Sequence, residues 1–440
     1  MTRAICFYVF LAILCCSTIP LGSNRTWALA LLELAVFGVM AVMAVTVISS
    51  PRINLPELNW RSIKFGYLFN AGLFFTALMV MCLRQLISDE SADIATGQAT
   101  LIEALLYAGV FALTLTFLKD KKSIQTLIYA IVGIGLVQAF LGSYWVIVGT
   151  QGRASGTFVN PNHLAGFLEM SIGLGVGMML SIHSTKGTTF RTSLLSWSEL
   201  LLGPKARLRV VLIIMVIAVV MSASRSGNTA LFSSILITAI TMLIIARKLN
   251  RSTIILLVSL VVIDVALIGT YFGVERVANR IQQTTLATEQ RDEVSIYTIE
   301  IIKDNLLWGT GAGTFEHVFP KYRGPDVGAH FTHAENDYLQ FLSELGLVGF
   351  IPLALIVMFS YGAAIQALRV RKSQFYRGIA FGTLMAMNSI LIHSFTEFNL
   401  RIPANACLFM VVLALGWVSL YSERGGKDGS ALRRHRSKTT

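Results

Sequence analysis

Residues 207–248 read RLRVVLIIMVIAVVMSASRSGNTALFSSILITAITMLIIARK. Two long apolar runs are joined only by the polar turn SASRSGN, and basic residues stand at both outer ends. This pattern predicts a helical hairpin that crosses a membrane, turns and crosses back. The first arm, from Arg209 to Ser224, has 16 residues and would be about 24 Å long as a helix, shorter than a hydrocarbon core of roughly 30 Å. We therefore expect the turn, with Arg225, to lie below the membrane surface.

Apolar runs of similar length recur along the whole chain. Hydrophobic residues make up 54% of it and charged residues only 14%, against about 25% charged residues in a typical soluble protein. Charge this sparse cannot solvate a globular surface of this size, so an all-α integral membrane protein with about 12 transmembrane helices is predicted. The candidate spans are 4–21, 27–49, 65–84, 100–118, 124–149, 163–183, 210–224, 229–245, 252–272, 347–367, 378–396 and 404–421.

The distribution of basic residues orients these spans. With both termini on one side, that side carries 25 of the 36 lysines and arginines, and the other side carries 11. Cytoplasmic loops are enriched in Lys and Arg, so both termini are predicted to be cytoplasmic. The net charge of +12 is thereby explained as a topology signal and as an attraction to membrane lipid, and no nucleic-acid partner is predicted.

This topology divides the chain into four parts. Residues 1–272 hold nine spans, 273–346 form one long helical loop on the outer side, 347–421 hold three spans, and 422–440 are a basic cytoplasmic tail. Ionisable residues inside spans are costly and usually functional. Those toward the outer ends indicate either a polar cavity open on that side or side chains that reach the interface. They are Glu33, Arg84, Glu103, Glu169, His393 and Glu397.

Two arginines on the outer side are candidates for binding an anion. A guanidinium below the membrane surface at Arg225 needs an anion or a wet cavity, and its fork matches a phosphate. A structural salt bridge is the alternative. Arg291 opens a predicted amphipathic helix, with Thr288 as its N-cap, where a cation opposes the helix dipole. The two arginines are candidates for a pyrophosphate clamp, although an ordinary solvated side chain also explains Arg291.

A candidate catalytic base lies further along the outer loop. From His333 the pattern is helical up to Gly346, so His333, Asn336 and Asp337 are expected on one face. Imidazole titrates near neutrality, so His333 can act as a general base, with Asp337 or Glu335 to orient it. A purely structural His333 is the alternative. Metal binding is not predicted, because no third strong ligand has a suitable spacing.

A second outer segment, GRASGTFVNPNHL (152–164), places polar side chains just before a span. These side chains are candidates for lining a sugar site. Capping of the next helix by the Asn-Pro-Asn turn explains them about as well. The residues are Arg153, Asn160, Asn162 and His163.

Several motifs together resemble the O-antigen ligase and polymerase superfamily of bacterial inner membranes. They are PLGSNRTW after the first span, GTFVNPNHLAGFL, SASRSG, the RDE helix that runs into LLWGTGAGTF, and HAENDYLQ ahead of ELGLVG. The resemblance implies a GT-C-like, metal-independent glycosyltransferase that takes a glycan from undecaprenyl pyrophosphate on the periplasmic face. By matched position, Arg225 and Arg291 would hold the pyrophosphate, and His333 would activate the acceptor hydroxyl, with inversion at the sugar.

The expected activity is that of an O-antigen ligase, which transfers the glycan to lipid A-core without a cofactor. A polymerase that joins lipid-linked glycans shares these motifs and is the nearest alternative. A small-anion transporter is the alternative from another class of protein. The outer bias of the polar residues, the long loop and the candidate base count against transport, because transporters usually bind their substrate near the membrane midplane.

Overall fold

The computed structural model describes residues 2–49, 70–74, 76–77, 79, 94–182, 203–246 and 290–422. Within these ranges the chain is helical and contains no β-strand, which agrees with the predicted all-α class. The helices are α1 (Thr2–Cys16), α2 (Thr26–Ser49), α3 (Ile94–Phe117), α4 (Lys121–Ile147), α5 (Pro161–Ser181), α6 (Pro204–Met221), α7 (Arg225–Ala246), α8 (Arg291–Asp304), α9 (Phe315–Val318), α10 (Asp337–Val370), α11 (Gln374–His393) and α12 (Pro403–Tyr421).

Eight helices in the described ranges are long and apolar enough to cross a membrane. The chain is therefore a multi-pass membrane protein, as predicted. The predicted spans 252–272 and most of 65–84 lie outside the described residues, as do residues 273–289 of the predicted loop and the tail from 423 onward. The total of twelve spans and the GT-C-like arrangement consequently stay predictions.

Three helices, α5, α11 and α12, form the centre of the bundle. In each of these three helices, between 83% and 94% of the apolar membrane-spanning stretch is buried, compared with 22% in α2. A helix that is apolar on every side is stable only inside a protein core or in lipid. The central helices satisfy this requirement by packing against protein, whereas α2 keeps an apolar surface suited to lipid.

Glycines let α5 and α11 approach each other very closely. A Cβ atom added to Gly177 would lie 2.6 Å from the carbonyl oxygen of Gly378 and 2.6 Å from Cα of Gly382. A Cβ atom at Gly173 would lie 2.7 Å from the backbone nitrogen of Ala386. Small residues four positions apart are a common way for membrane helices to pack backbone against backbone. The N-terminal end of α5 and the C-terminal end of α11, which carry the candidate site, are therefore held in a fixed relation.

The helix that follows His333 begins later than predicted. It begins at Asp337, because the side chain of Asn336 accepts hydrogen bonds from the backbone N–H groups of Tyr338 and Leu339 and so forms the N-cap. It continues to Val370, with a break at Gly346, where φ is 61°. The predicted start at His333 is wrong, whereas the predicted end of this helical stretch near Gly346 is confirmed by the break there.

Helix α8 begins at Arg291, so the predicted place of this residue in the first turn is confirmed. The N-cap is Gln290, with φ of 47°, and not Thr288, which lies outside the described residues. The apolar face of this predicted amphipathic helix is buried at Val294 and Ile301. Both residues belong to a small hydrophobic core that also contains Phe315 and Phe319. This core anchors α8 and so fixes the backbone from which Arg291 projects.

Replacing Gly177 by leucine tests the close packing of α5 and α11. The added side chain would collide with the backbone of α11, and we expect a loss of about 1–3 kcal/mol or more in stability. The measurement is the midpoint of thermal unfolding in detergent. Gly133→Leu is the matched control, because nothing lies within 4 Å of its Cβ position. Equal midpoints for the two variants would contradict the packing argument.

Candidate active site

The segment Ser394–Ile402 joins α11 to α12, and we call it the connector. The N–H of Leu400 donates to Oδ2 of Asp337 at 3.1 Å, and the carbonyl oxygen of Phe395 accepts from Nδ2 of Asn336 at 2.8 Å. Glu397 and Asn399 have no exposed surface. The connector is therefore fixed against the start of α10, and its buried side chains reach the other elements of the site.

Glu397 is the central polar residue of the connector. Its Oε1 accepts a hydrogen bond from Nη1 of Arg291 at 2.6 Å and another from Nδ2 of Asn162. Its Oε2 lies 4.0 Å from Nε2 of His163. A buried carboxylate is stable only when it is paired and hydrogen-bonded. Glu397 thus ties the N-terminus of α5 to the N-terminus of α8.

Arg291 is held on two sides by carboxylates. Besides its bond to Glu397, Nη1 donates to the carbonyl oxygen of Thr396 at 3.0 Å, and Nη2 lies 3.1 Å from Oε2 of Glu335. The Arg291 side chain is nevertheless 34% exposed. The guanidinium is therefore fixed in position but can still be reached from outside the protein.

Arg153 connects the α6–α7 turn to the same network. Its Nε donates to the carbonyl oxygen of Ser222 at 2.7 Å, and its Nη2 donates to Oδ1 of Asn162 at 2.6 Å. Asn160 forms the N-cap of α5 through a hydrogen bond from the N–H of Asn162 at 2.9 Å. A continuous chain of polar contacts consequently runs from the α6–α7 turn through Arg153 and Asn162 to Glu397.

Arg225 is the first residue of α7 and is exposed. The turn before it includes Ala223 in the left-handed region, with φ of 50°. Behind it, Gly227 packs closely against Ala165 of α5 and the ring of His393. The structure thus brings the turn of Arg225 and the side chain of Arg291 into one polar network at one end of the bundle. Their joint binding of a pyrophosphate stays a prediction.

His333 lies in the loop before α10. The ring of Phe398 lies between two imidazoles, with its centroid 4.3 Å from that of His333 and 4.8 Å from that of His163. Burial and then the positive charge of Arg401 lower the pKa of His333 to about 3, and a hydrogen bond with Gln340 offsets only part of this shift. His333 is therefore neutral, as a general base must be before it accepts a proton.

Neither residue predicted to orient His333 does so in this structure. Oδ2 of Asp337 accepts from Oγ of Ser394 at 2.7 Å and from the N–H of Leu400, and Glu335 pairs with Arg291. Because α10 starts at Asp337, His333 also does not share a helical face with it. Asp337 instead holds the connector against α10.

A deeper layer of ion pairs lies beneath this site. Nδ1 of His393 is 2.9 Å from Oε1 of Glu169, and both side chains are fully buried. Arg401 pairs with Glu344, whose Oε2 also accepts from the N–H of Gly313 at 3.0 Å. These charged residues face the interior of the protein and not the membrane interface. Glu169 and His393 belong to the ionisable residues that the sequence places near the outer ends of spans. Their burial favours a polar interior over side chains that reach the membrane interface.

A cavity of about 530 Å³ lies between α3, α10, α11 and α12. Most of its lining is apolar, and its charged residues include Glu103, Glu344 and Arg401. Met358, which also lines it, is 57% exposed, so the cavity reaches the outer surface of the bundle. Asp337 and Ser394 line the cavity as well, which places it directly behind the connector.

Sequence reasoning did not assign Glu397 or Phe398 to the site. Glu397 gave one signal, as an ionisable residue near the outer end of a span, and Phe398 gave none. No group of three or more His, Cys, Asp and Glu side chains that could hold a metal ion occurs among the described residues.

Residues 210–354 match the family model described as O-antigen ligase. This segment is therefore similar to the O-antigen ligase family. This match confirms the resemblance to the O-antigen ligase and polymerase superfamily, whose members are membrane glycosyltransferase-like enzymes. The matched segment contains Arg225, Arg291 and His333, whereas Asn162 and the connector lie outside it. No curated protein matches the chain.

The role of Asp337 in holding the connector predicts a clear loss of stability in Asp337→Ala. The substitution removes the acceptor for the Ser394 hydroxyl and the Leu400 N–H, and leaving such buried donors unpaired costs about 1–3 kcal/mol each. Thermal unfolding in detergent measures the effect. Asp304→Ala is the control, since Asp304 is exposed and, within the described ranges, accepts a hydrogen bond from the Tyr322 hydroxyl at the surface. An Asp337→Ala midpoint equal to that of the control would rule out this role.

Proposed function

We propose that this protein is an O-antigen ligase. It transfers a glycan from undecaprenyl pyrophosphate to a hydroxyl of lipid A-core on the periplasmic face of the bacterial inner membrane, and both termini are cytoplasmic. The observation that carries the proposal is a fixed but accessible Arg291, bound to Glu397 of the connector, together with a neutral His333 whose ring lies against Phe398 of the same connector. Both residues lie in the segment that matches the O-antigen ligase family. The family implies a lipid-linked glycan donor and a membrane acceptor in general.

Arg225 and Arg291 bind the donor pyrophosphate in this proposal. Each guanidinium can donate two parallel hydrogen bonds to phosphate oxygens. Both arginines also stand at the first position of a helix, where backbone N–H groups and the helix dipole favour an anion. Together they neutralise the leaving pyrophosphate, so that no metal ion or other cofactor is required.

His333 acts as the general base. It accepts the proton of the acceptor hydroxyl while the oxygen attacks the anomeric carbon of the donor sugar. The bond between that carbon and the pyrophosphate oxygen breaks, and undecaprenyl pyrophosphate leaves with the electron pair. Attack opposite the leaving group inverts the anomeric configuration. The bound pyrophosphate, as an anion near His333, favours the protonated imidazole and so raises its basicity at this step.

Polar side chains near the arginines line the sugar site. Arg153 and Asn162 order this wall through their mutual hydrogen bond, and Asn160 caps the helix that presents them. His163 lies beside Phe398, whose apolar ring is suited to stack on a sugar face. Asn336 and Asp337 support the wall from α10. The apolar cavity behind the connector is suited to a hydrocarbon chain of a lipid-linked substrate.

A transfer assay with purified protein in detergent tests the proposal. The donor is an undecaprenyl-pyrophosphate glycan, offered with and without lipid A-core. A ligase gives a glycosylated lipid A-core only when that acceptor is present. Longer lipid-linked glycans made without lipid A-core would identify a polymerase instead. No covalent product beside an active reference enzyme would favour the small-anion transporter.

Two substitutions separate donor binding from chemistry. Arg291→Ala should raise the KM for the donor by about tenfold or more, because it removes charge-assisted bonds to the pyrophosphate. His333→Ala should leave donor binding near normal and lower kcat by roughly 10²–10⁴-fold, the usual contribution of a general base. The same transfer assay measures both values.

Matched controls for these variants lie on the exposed outer surface. Arg323→Ala removes an exposed arginine whose guanidinium, among the described residues, donates to the carbonyl oxygen of Ala329, and His317→Ala removes an exposed histidine. Neither should alter transfer. Normal kcat in His333→Ala would exclude His333 as the base.

The lowered pKa of His333 makes a distinct prediction for the pH dependence. In the donor-free protein the pKa of His333 is about 3. The imidazole is therefore neutral, and able to act as a base, at any pH well above that value. The value of kcat/KM for the donor reports the free enzyme, so it should stay level as the pH falls from about 8 to about 5. An acid limb centred near the usual pKa of 6.5 would contradict the buried, neutral environment of His333. The pH profile of the transfer assay provides the measurement.

A further inference from the structure

Arg291 has two carboxylate partners that differ in burial. Glu397 is 0% exposed and lies 2.6 Å from Nη1, whereas Glu335 is 15% exposed and lies 3.1 Å from Nη2. The nitrogen that binds Glu397 also donates to the carbonyl oxygen of Thr396. The Nη1 side of the guanidinium is therefore enclosed by the connector, and the Nη2 side lies nearer the surface.

We infer that Glu397 is the positioning residue of the donor site. It holds Arg291 from the enclosed side, while the incoming pyrophosphate displaces Glu335 from the accessible side. This inference rests on the proposed function, in which Arg291 binds the pyrophosphate. Each guanidinium nitrogen of the Nη type carries two hydrogens. Both hydrogens of Nη1 are used by Glu397 and Thr396, so a phosphate oxygen has to bind through the remaining donors, Nη2 and Nε, and Glu335 now lies against Nη2.

The local charges support an exchange of partners at Nη2. One guanidinium faces two carboxylates, and this group of three is net negative before any donor binds. A pyrophosphate that approached it with both carboxylates in place would be repelled. Displacement of Glu335 costs less than displacement of Glu397, because Glu335 is 15% exposed and Glu397 is 0% exposed. Displacement of Glu397 would leave a carboxylate buried without its cation, which is strongly unfavourable.

Glu397 also aligns the rest of the donor site. The oxygen that binds Arg291 accepts from Asn162 as well, and Asn162 in turn accepts from Arg153. A single buried oxygen thus sets the position of Arg291 relative to the predicted sugar-lining residues of α5. Glu397 lies outside residues 210–354, the segment that matches the O-antigen ligase family, so the match assigns no role to Glu397.

The test compares three substitutions of Glu by the nearly isosteric Gln. Binding of undecaprenyl pyrophosphate to the full-length protein in detergent is measured for Glu397→Gln, Glu335→Gln and Glu300→Gln. We expect Glu397→Gln to weaken binding by about tenfold, the effect of losing one charge-assisted hydrogen bond in a buried pair. Glu335→Gln should tighten binding, because it removes the carboxylate that competes with the pyrophosphate. Glu300, exposed on the far part of α8, should have no effect.

A double-mutant cycle separates positioning of Arg291 from a general loss of structure. If Glu397 acts through Arg291, Glu397→Gln should have no further effect on the binding of undecaprenyl pyrophosphate in the Arg291→Ala background. In the transfer assay, Glu397→Gln should raise the donor KM more than it lowers kcat, and Glu397→Asp should recover part of the loss.

The outcomes also distinguish this inference from the proposed function. The positioning role alone would be overturned if the wild-type protein binds undecaprenyl pyrophosphate and Glu397→Gln binds it equally well or more tightly. Equal weakening by Glu397→Gln with and without Arg291 would overturn it too, since the effect would then not pass through Arg291. Wild-type protein that does not bind undecaprenyl pyrophosphate would overturn the proposed function and this inference with it.

Discussion

A carboxylate that has no contact with water must be paired with a cation or lose its charge. Glu397 meets this requirement through Arg291, and the rest of the candidate site depends on that ion pair. The pair fixes the start of α8 relative to the connector, and the shared bond to Asn162 fixes the start of α5. Three separate parts of the chain therefore meet at one buried oxygen, and the α6–α7 turn is linked to it through Arg153 and Asn162.

The helical bundle makes this meeting possible. Close contacts at glycines pack α5 against α11. This packing fixes the position of the N-terminal end of α5 relative to the C-terminal end of α11 without any contribution from polar pairs. The buried His393–Glu169 pair then joins these helices just below the site. Loops without regular structure can keep a defined geometry here because α10 and the connector bind each other through Asp337 and Asn336. Such rigidity is what electrostatic stabilisation of a leaving pyrophosphate demands.

Much of the fold could be predicted from the sequence, because lipid forces each backbone polar group to find a partner within its own helix. The place of Arg291 at a helix start followed from local pattern alone. The start of α10 was missed because the cap at Asn336 prevailed over apolar periodicity. Glu397 could not be assigned because its partners, Arg291 and Asn162, are 106 and 235 positions away. Burial of His333, which sets its pKa, likewise arises only in the folded chain.

The central claim is that Arg291 stays bound to Glu397 while it receives the donor pyrophosphate. A cryo-electron microscopy structure of the full-length protein with undecaprenyl pyrophosphate tests this claim most directly. The account predicts pyrophosphate density between Arg225 and Arg291, an intact contact between Arg291 and Glu397, and Glu335 turned away from the guanidinium. Pyrophosphate bound elsewhere, or bound to an Arg291 that has left Glu397, would contradict it.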